Sequence, residues 1–133
     1  MGYADLLVTL VERLSGIGAD PQMASRMADT WGTRALAIIE LARLDAEPAR
    51  TIDGETPLLA AEVVFAVEEE AALSLTDLVM RRTMVGFGPT LAREQLGPIA
   101  DLMAGKLGWD IAERDRQLAD HERWLRRLAS PLS

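Results

Sequence analysis

Ala61-Glu62-Val63-Val64-Phe65-Ala66-Val67-Glu68-Glu69-Glu70, followed by Ser74-Leu75-Thr76-Asp77-Leu78 and then Arg81-Arg82-Thr83, decides the fold class of this chain. From Pro57 to Val67 every residue is apolar except Glu62. A helix that apolar on all sides is a buried one. Ser74 and Asp77 have the three-residue spacing of a capping box, with Asp in place of the usual Glu or Gln. The stretch therefore reads as two helices joined by a capped turn and closed by paired arginines. Thr56-Pro57 is the expected opening of the first.

Outward from this stretch the signals stay helical. Ala, Leu, Glu and Arg abound, and β-branched alternation is scarce. A first helix is expected from about Tyr3 to Leu14, ended by Ser15-Gly16-Ile17-Gly18. Asp20 caps and Pro21 starts a second, which runs to Thr30 and breaks at Trp31-Gly32-Thr33. A third follows through Ala35–Ala42, apolar around much of its circumference. Asp45–Glu55 is irregular. Gly97-Pro98 is expected to open a helix through Leu107, closed by Gly108. Asp110-Ile111-Ala112-Glu113 is a second capping box, and the helix it starts has a narrow stripe of Ile111, Leu118, Leu125 and Leu128. The expected architecture is all-α: one compact domain over residues 1–133, of about five to seven helices, with no substantial sheet.

Composition narrows the function. At 133 residues, 49% hydrophobic and 26% charged, the chain can bury a proper core and is not disordered. It has no cysteine, which excludes disulfides and thiolate metal sites. Its net charge of −7 disfavours nucleic acid and anionic membrane surfaces. No run approaches the length of a membrane span. The start, Met1-Gly2-Tyr3-Ala4-Asp5, lacks the basic region of a signal peptide.

No catalytic constellation stands out. Gly86-Phe87-Gly88 lacks the third glycine and the preceding strand of a dinucleotide fingerprint, and reads as a turn. Glu68-Glu69-Glu70 reads as a solvated acidic face, because di-metal helical sites need a Glu-x-x-His motif and Leu118 precedes the single His121 by three. His121 lies among Asp120, Glu122 and Arg123 and is expected at the surface. Arg123-Trp124-Leu125-Arg126-Arg127-Leu128 could face a membrane or a partner; the plain reading is cations closing a helix C-terminus.

Glu62 is the exception. A buried carboxylate needs a cation. Arg81 and Arg82, one helix later, are the natural candidates. The first expectation is that Glu62 clasps one of them within the domain; the second is that these residues dock the domain onto another.

The same stretch resembles the C-terminal helical domain of the FAD-dependent (aerobic) glycerol-3-phosphate dehydrogenases and the related glycerophosphate oxidases. In that family a segment close to Ala-Glu-Val-x-Tyr-Ala-Val-x-x-Glu, then Thr-Leu-x-Asp, then Arg-Arg-Thr, marks the domain. Trp31-Gly32-Thr33-Arg34-Ala35 is similar to its Tyr-Gly-Thr/Ser-Arg-Ala, and Ala104-Gly105-Lys106-Leu107-Gly108-Trp109-Asp110 to its Met-Ala-x-Glu-Leu-Gly-Trp-Asp. Trp31 and Phe65 stand where Tyr is usual, and Glu68 and Met84 where a basic residue is common.

The resemblance implies a flavoprotein parent that oxidises sn-glycerol 3-phosphate to dihydroxyacetone phosphate, with FAD and substrate held by a portion N-terminal to this domain. It implies no catalytic, cofactor-binding or metal residue in this chain, which alone is expected to be inactive. The flavin/substrate domain of the same enzyme is the implied partner. The implied location is cytoplasmic, at the inner face of the membrane through the parent enzyme. The rival expectation is a free-standing helical interaction module that kept the fold without the enzyme.

Overall fold

A computed structural model describes residues 1–129. Its first helix, α1 (Tyr3–Gly16), buries Leu6, Leu10 and Leu14, one residue per turn on one face. It stops where the Ala19 amide turns back to the Leu14 carbonyl and Gly18 takes a left-handed φ of 76°. The Asp20 carboxylate then accepts from the Gln22 amide at 2.9 Å and starts a 3-10 turn, Pro21–Met23. α2 (Ala24–Trp31) continues from it. Gly32, at φ 58°, separates α2 from α3 (Arg34–Leu44).

Residues 45–55 are not wholly irregular. β1 (Thr51–Ile52) pairs antiparallel with β2 (Leu58–Leu59), Thr51 opposite Leu59 and Ile52 opposite Leu58. This short ladder moves the start of α4 (Ala60–Glu69) past the expected Thr56-Pro57. The first amides of α4 find partners outside the helix: Ala60 donates to the Arg50 carbonyl at 2.8 Å and Ala61 to that of Pro48 at 2.9 Å. Every residue from Ala60 to Val67 is buried, so α4 is the central helix the apolar run predicts. It packs between α3 and α6.

α5 opens at Leu75–Asp77 and widens into a π turn, Leu78–Arg82. Ser74 Oγ accepts from the Asp77 amide at 3.1 Å, which is half of the expected box. Asp77 does not reach back, because its carboxylate is taken by Arg82. A 3-10 turn, Val85–Phe87, leads to α6 (Arg93–Leu107). α6 starts earlier than Gly97-Pro98. Pro98 lies inside it, and the Glu94 carbonyl four residues back loses its amide partner on an exposed part of the helix. Gly108, at φ 73°, closes α6 as expected.

The last helix, α7 (Ile111–Ala129), starts with the Glu113 amide on Asp110 Oδ1 at 2.7 Å. Its buried face is Gln117, His121 and Leu125. The expected stripe is only partly right: Leu125 is buried and Leu118 half-buried, but Ile111 and Leu128 face solvent. On the outer face Arg116 holds the Glu113 carboxyl down to about 2. The described residues thus form a mostly α domain with one two-residue ladder.

Candidate functional site

The motif residues meet in one chain of contacts that starts at Glu62. α4 places Glu62 in its first turn, fully buried, where the helix dipole favours a carboxylate. Its Oε2 accepts from the Leu59 amide at 2.8 Å and from Arg26 Nη2 at 2.8 Å. Its Oε1 accepts from Arg26 Nη1 at 2.6 Å and from Trp31 Nε1 at 2.8 Å. Four donors on two oxygens satisfy the carboxylate fully. Arg26 Nη2 also donates to the Pro57 carbonyl at 3.1 Å, which ties the β1–β2 loop to α2.

The partner of Glu62 is therefore Arg26 on α2, and not Arg81 or Arg82. Nearness in sequence is the reason for the error. α5 follows α4 in the chain, but the Glu62 end of α4 faces the α2 side of the core.

From Trp31 the contacts continue outward. The indole stands edge-on to Phe65, with ring centroids 5.6 Å apart at 83°. The Arg34 guanidinium lies 5.7 Å from the centre of the Trp31 ring and pairs with Glu70 at 2.8 Å. Glu70 also faces Arg82 at 3.7 Å, and Arg82 Nε reaches Asp77 at 3.1 Å. The Trp31–Ala35, Ala61–Glu70 and Arg81–Thr83 motifs are thus one connected structure. Its inner end is a buried ion pair. Its outer end, Arg34–Glu70–Arg82–Asp77, is part-exposed and contributes little each. Arg81 stays outside: it is exposed and forms no ion pair among the described residues.

Three buried polar side chains, Gln95, Gln117 and His121, escaped the sequence reading. Gln95 on α6 is fully buried and donates through Nε2 to the carbonyls of Ile52 (3.0 Å) and Thr56 (2.8 Å). It holds both ends of the β1–β2 loop. His121, expected at the surface, is fully buried. Its Nδ1 is hydrogen-bonded to Thr76 Oγ1 at 2.8 Å, its ring stacks on Trp124, and its Nε2 has no partner among the described residues. One turn earlier, Gln117 accepts from the Leu75 amide at 3.0 Å. The Gln117–His121 pair thus caps the start of α5. The signal was the spacing Gln117, His121, Leu125, four residues apart, which marks a single helix face. Burial pushes the His121 pKa below its ordinary value; Glu122 opposes the shift and Arg93 adds to it.

The acidic run divides: Glu70 turns inward to Arg34 and Arg82, and only its first two residues form the expected solvated face. Glu68 and Glu69 are exposed, and Lys106 lies 3.8 Å from Glu68. Among the described residues no group of three or more His, Asp or Glu could hold a metal ion.

Nor does the Gly86–Gly88 loop fit the pyrophosphate of a flavin dinucleotide. Gly86 and Gly88 follow a π turn, not a strand. Both lie close to neighbouring side chains: Gly86 to Met80 Sδ and Gly88 to the Glu55 carboxylate. A carboxylate against the loop repels a pyrophosphate instead of cradling it.

Comparison with known proteins agrees with this geometry. A family model described as the C-terminal domain of alpha-glycerophosphate oxidase matches residues 2–114. A probable mitochondrial glycerol-3-phosphate dehydrogenase of Caenorhabditis elegans is 29% identical over 106 residues, 76% of this chain and 14% of that protein. Its Dictyostelium discoideum counterpart is 28% identical over 109 residues, 81% of this chain and 17% of that protein. Glycerol-3-phosphate dehydrogenase 2 of Mycobacterium tuberculosis is 28% identical over 127 residues, 89% of this chain and 21% of that protein. The chain spans about one-seventh to one-fifth of the length of these relatives. With the match running from α1 into α7, the chain belongs to the family of the C-terminal domain of alpha-glycerophosphate oxidase.

Proposed function

We propose that this chain is the non-catalytic C-terminal domain of an FAD-dependent glycerol-3-phosphate dehydrogenase. The parent enzyme would oxidise sn-glycerol 3-phosphate to dihydroxyacetone phosphate on a flavin and substrate portion outside this segment. One observation carries the reading: the family match covers most of the chain, while the chain covers only 14–21% of the three dehydrogenases above. The site geometry supports it, since the motif residues described above hold helices to one another. No described helix is long and apolar enough to cross a membrane. The reading places the parent in the cytoplasm, at the inner face of the membrane.

The test is a dye-reduction assay on two samples. The polypeptide that carries this segment at its C-terminal end is expected to be yellow and to reduce dye only with glycerol 3-phosphate. The 133-residue chain alone is expected to be colourless and inactive. A yellow or active isolated chain would overturn the non-catalytic assignment. A reading frame with no flavin-binding portion upstream would make the domain a free-standing module.

A further inference from the structure

We propose that the loop from Thr83 to Leu91, with Arg81 beside it, is the face that docks this domain onto the flavin-binding portion of the same polypeptide. Met84 and Phe87 would enter an apolar recess there, and a carboxylate at its rim would receive Arg81. The proposal rests on the functional reading above and names the surface that reading leaves open.

Three observations converge on this loop. First, the paired arginines divide. Arg82 turns to Glu70 and Asp77, whereas Arg81 is exposed with no ion pair among the described residues. Second, Met84 and Phe87 are 53% and 62% exposed, and both rise from one turn, in which the Phe87 amide donates to the Met84 carbonyl at 3.2 Å. Third, the backbone is strained there. Of the four non-glycine residues with left-handed φ among those described, Met84, Leu91 and Ala92 lie at this loop. Strain of this kind persists where the surroundings over-determine it, and it gathers at functional surfaces.

The loop is also held from beneath. Thr83 is buried and its hydroxyl donates to the Leu78 carbonyl at 3.0 Å. Val85 is buried, Gly86 lies against Met80, and Gly88 lies against Glu55. Met84 and Phe87 are thus presented on a fixed frame, which lowers the ordering cost of association. Val8, Val11, Leu44, Ile111 and Leu128 are exposed too, but on regular helices; Leu73 is exposed near the left-handed Ala71, but with no second exposed large apolar residue in its turn.

The occupant follows from length and charge. The matched segment is 14% and 21% of two relatives, so the bulk of each lies outside it and is joined to it covalently. A second copy is a poorer fit, because an isologous contact centred on this loop would bring Arg81 towards its own symmetry mate.

The experiment is hydroxyl-radical footprinting of the parent polypeptide, with an N-acetylmethionine amide standard mixed in. Met84 is expected to oxidise at least about fivefold more slowly than the standard, where its exposure in this domain alone implies a rate within about twofold of it. The variant Arg81→Glu with Phe87→Asp should restore the fast rate with helical content unchanged. A parent that is yellow and active while its Met84 oxidises like the standard would overturn the docking face and leave the functional reading standing. Protection lost on dilution, with flavin retained, would assign the face to a second copy and also overturn the proposal. A parent with neither flavin nor glycerol 3-phosphate oxidation would remove the functional reading, and the docking face with it.

Discussion

Arg26 and Glu62 meet as a fork, Nη1 at 2.6 Å from Oε1 and Nη2 at 2.8 Å from Oε2, with Glu62 fully buried and the Arg26 side chain one-fifth exposed (0% and 20%). The asymmetry decides which half is harder to lose. Arg26→Ala leaves an ionised carboxylate in the core without a cation, and breaking a buried pair in this way costs about 3–5 kcal/mol. Arg81→Ala removes an exposed side chain and should shift stability by less than about 0.5 kcal/mol. Urea titrations of the two variants at equal m-value give the comparison. Equal, small losses would mean that the fork contributes nothing to folding.

That Glu62 is buried and needs a cation was legible, because it alone interrupts the apolar run from Pro57 to Val67. Its partner was not. Spacing along the chain reports which residues share a helix face, but not which helices cross. Arg26 was hidden for that reason: it lies in a short α2 between the apolar positions Ala24, Met27, Ala28 and Trp31, and nothing along the chain sets it apart from the other arginines. His121 was misjudged for a different reason. Its neighbours in sequence are charged, yet a helix turns each of them away from the face that Gln117, His121 and Leu125 share. The helix starts at Ala60 and Arg93 were displaced by tertiary pairing: the β1–β2 ladder in one case, and a proline held inside a packed helix in the other. What carried through was the apolar periodicity, and with it the fold class.

Trp31→Phe isolates one hydrogen bond of the network. The ring edge against Phe65 is largely kept, while the indole donor to Glu62 Oε1, 2.8 Å away, is lost. A hydrogen bond to a charged group contributes about 1.5–3 kcal/mol. Thermal unfolding of the variant should show a loss of that order, and the loss should shrink in an Arg26→Ala background if the two donors act on the same carboxylate. Strict additivity would place them in separate networks.

Gly54→Ala tests how the β1–β2 loop is held. A methyl there would fall inside the Gln95 side chain, which is fully buried and cannot move without releasing the carbonyls of Ile52 and Thr56. Each buried group left unpaired costs about 1–3 kcal/mol. Gly54→Ala and Gln95→Ala should therefore both destabilise, and the double variant should cost clearly less than their sum. Hydrogen exchange at the amides of Ile52 and Ala60 reads the same event locally. A neutral Gly54→Ala would show that the loop can shift away from Gln95.

His121 makes stability depend on pH in a window that its burial sets. The folded pKa lies below the ordinary 6.5, because burial disfavours the charged ring; Glu122 on α7 opposes this and Arg93 on α6 reinforces it, while Thr76 on α5 is neutral. Between the folded and unfolded pKa values the unfolded chain binds the extra proton, so stability rises with pH there. The contribution is therefore complete above about pH 6.5 and falls as the pH drops towards the folded pKa, by at most about 1.4 kcal/mol per pH unit. Because His121 is the single histidine, its ring protons can be titrated by NMR without assignment. The midpoint should lie below 6.5, and His121→Gln should flatten the loss of stability between about pH 6.5 and 5. The Gln117 bond to the Leu75 amide should survive that substitution, so α7 stays in place and the slope reports the histidine itself. A midpoint at or above 6.5, or an unchanged slope in the variant, would show that the ring is hydrated and that α7 does not seal it.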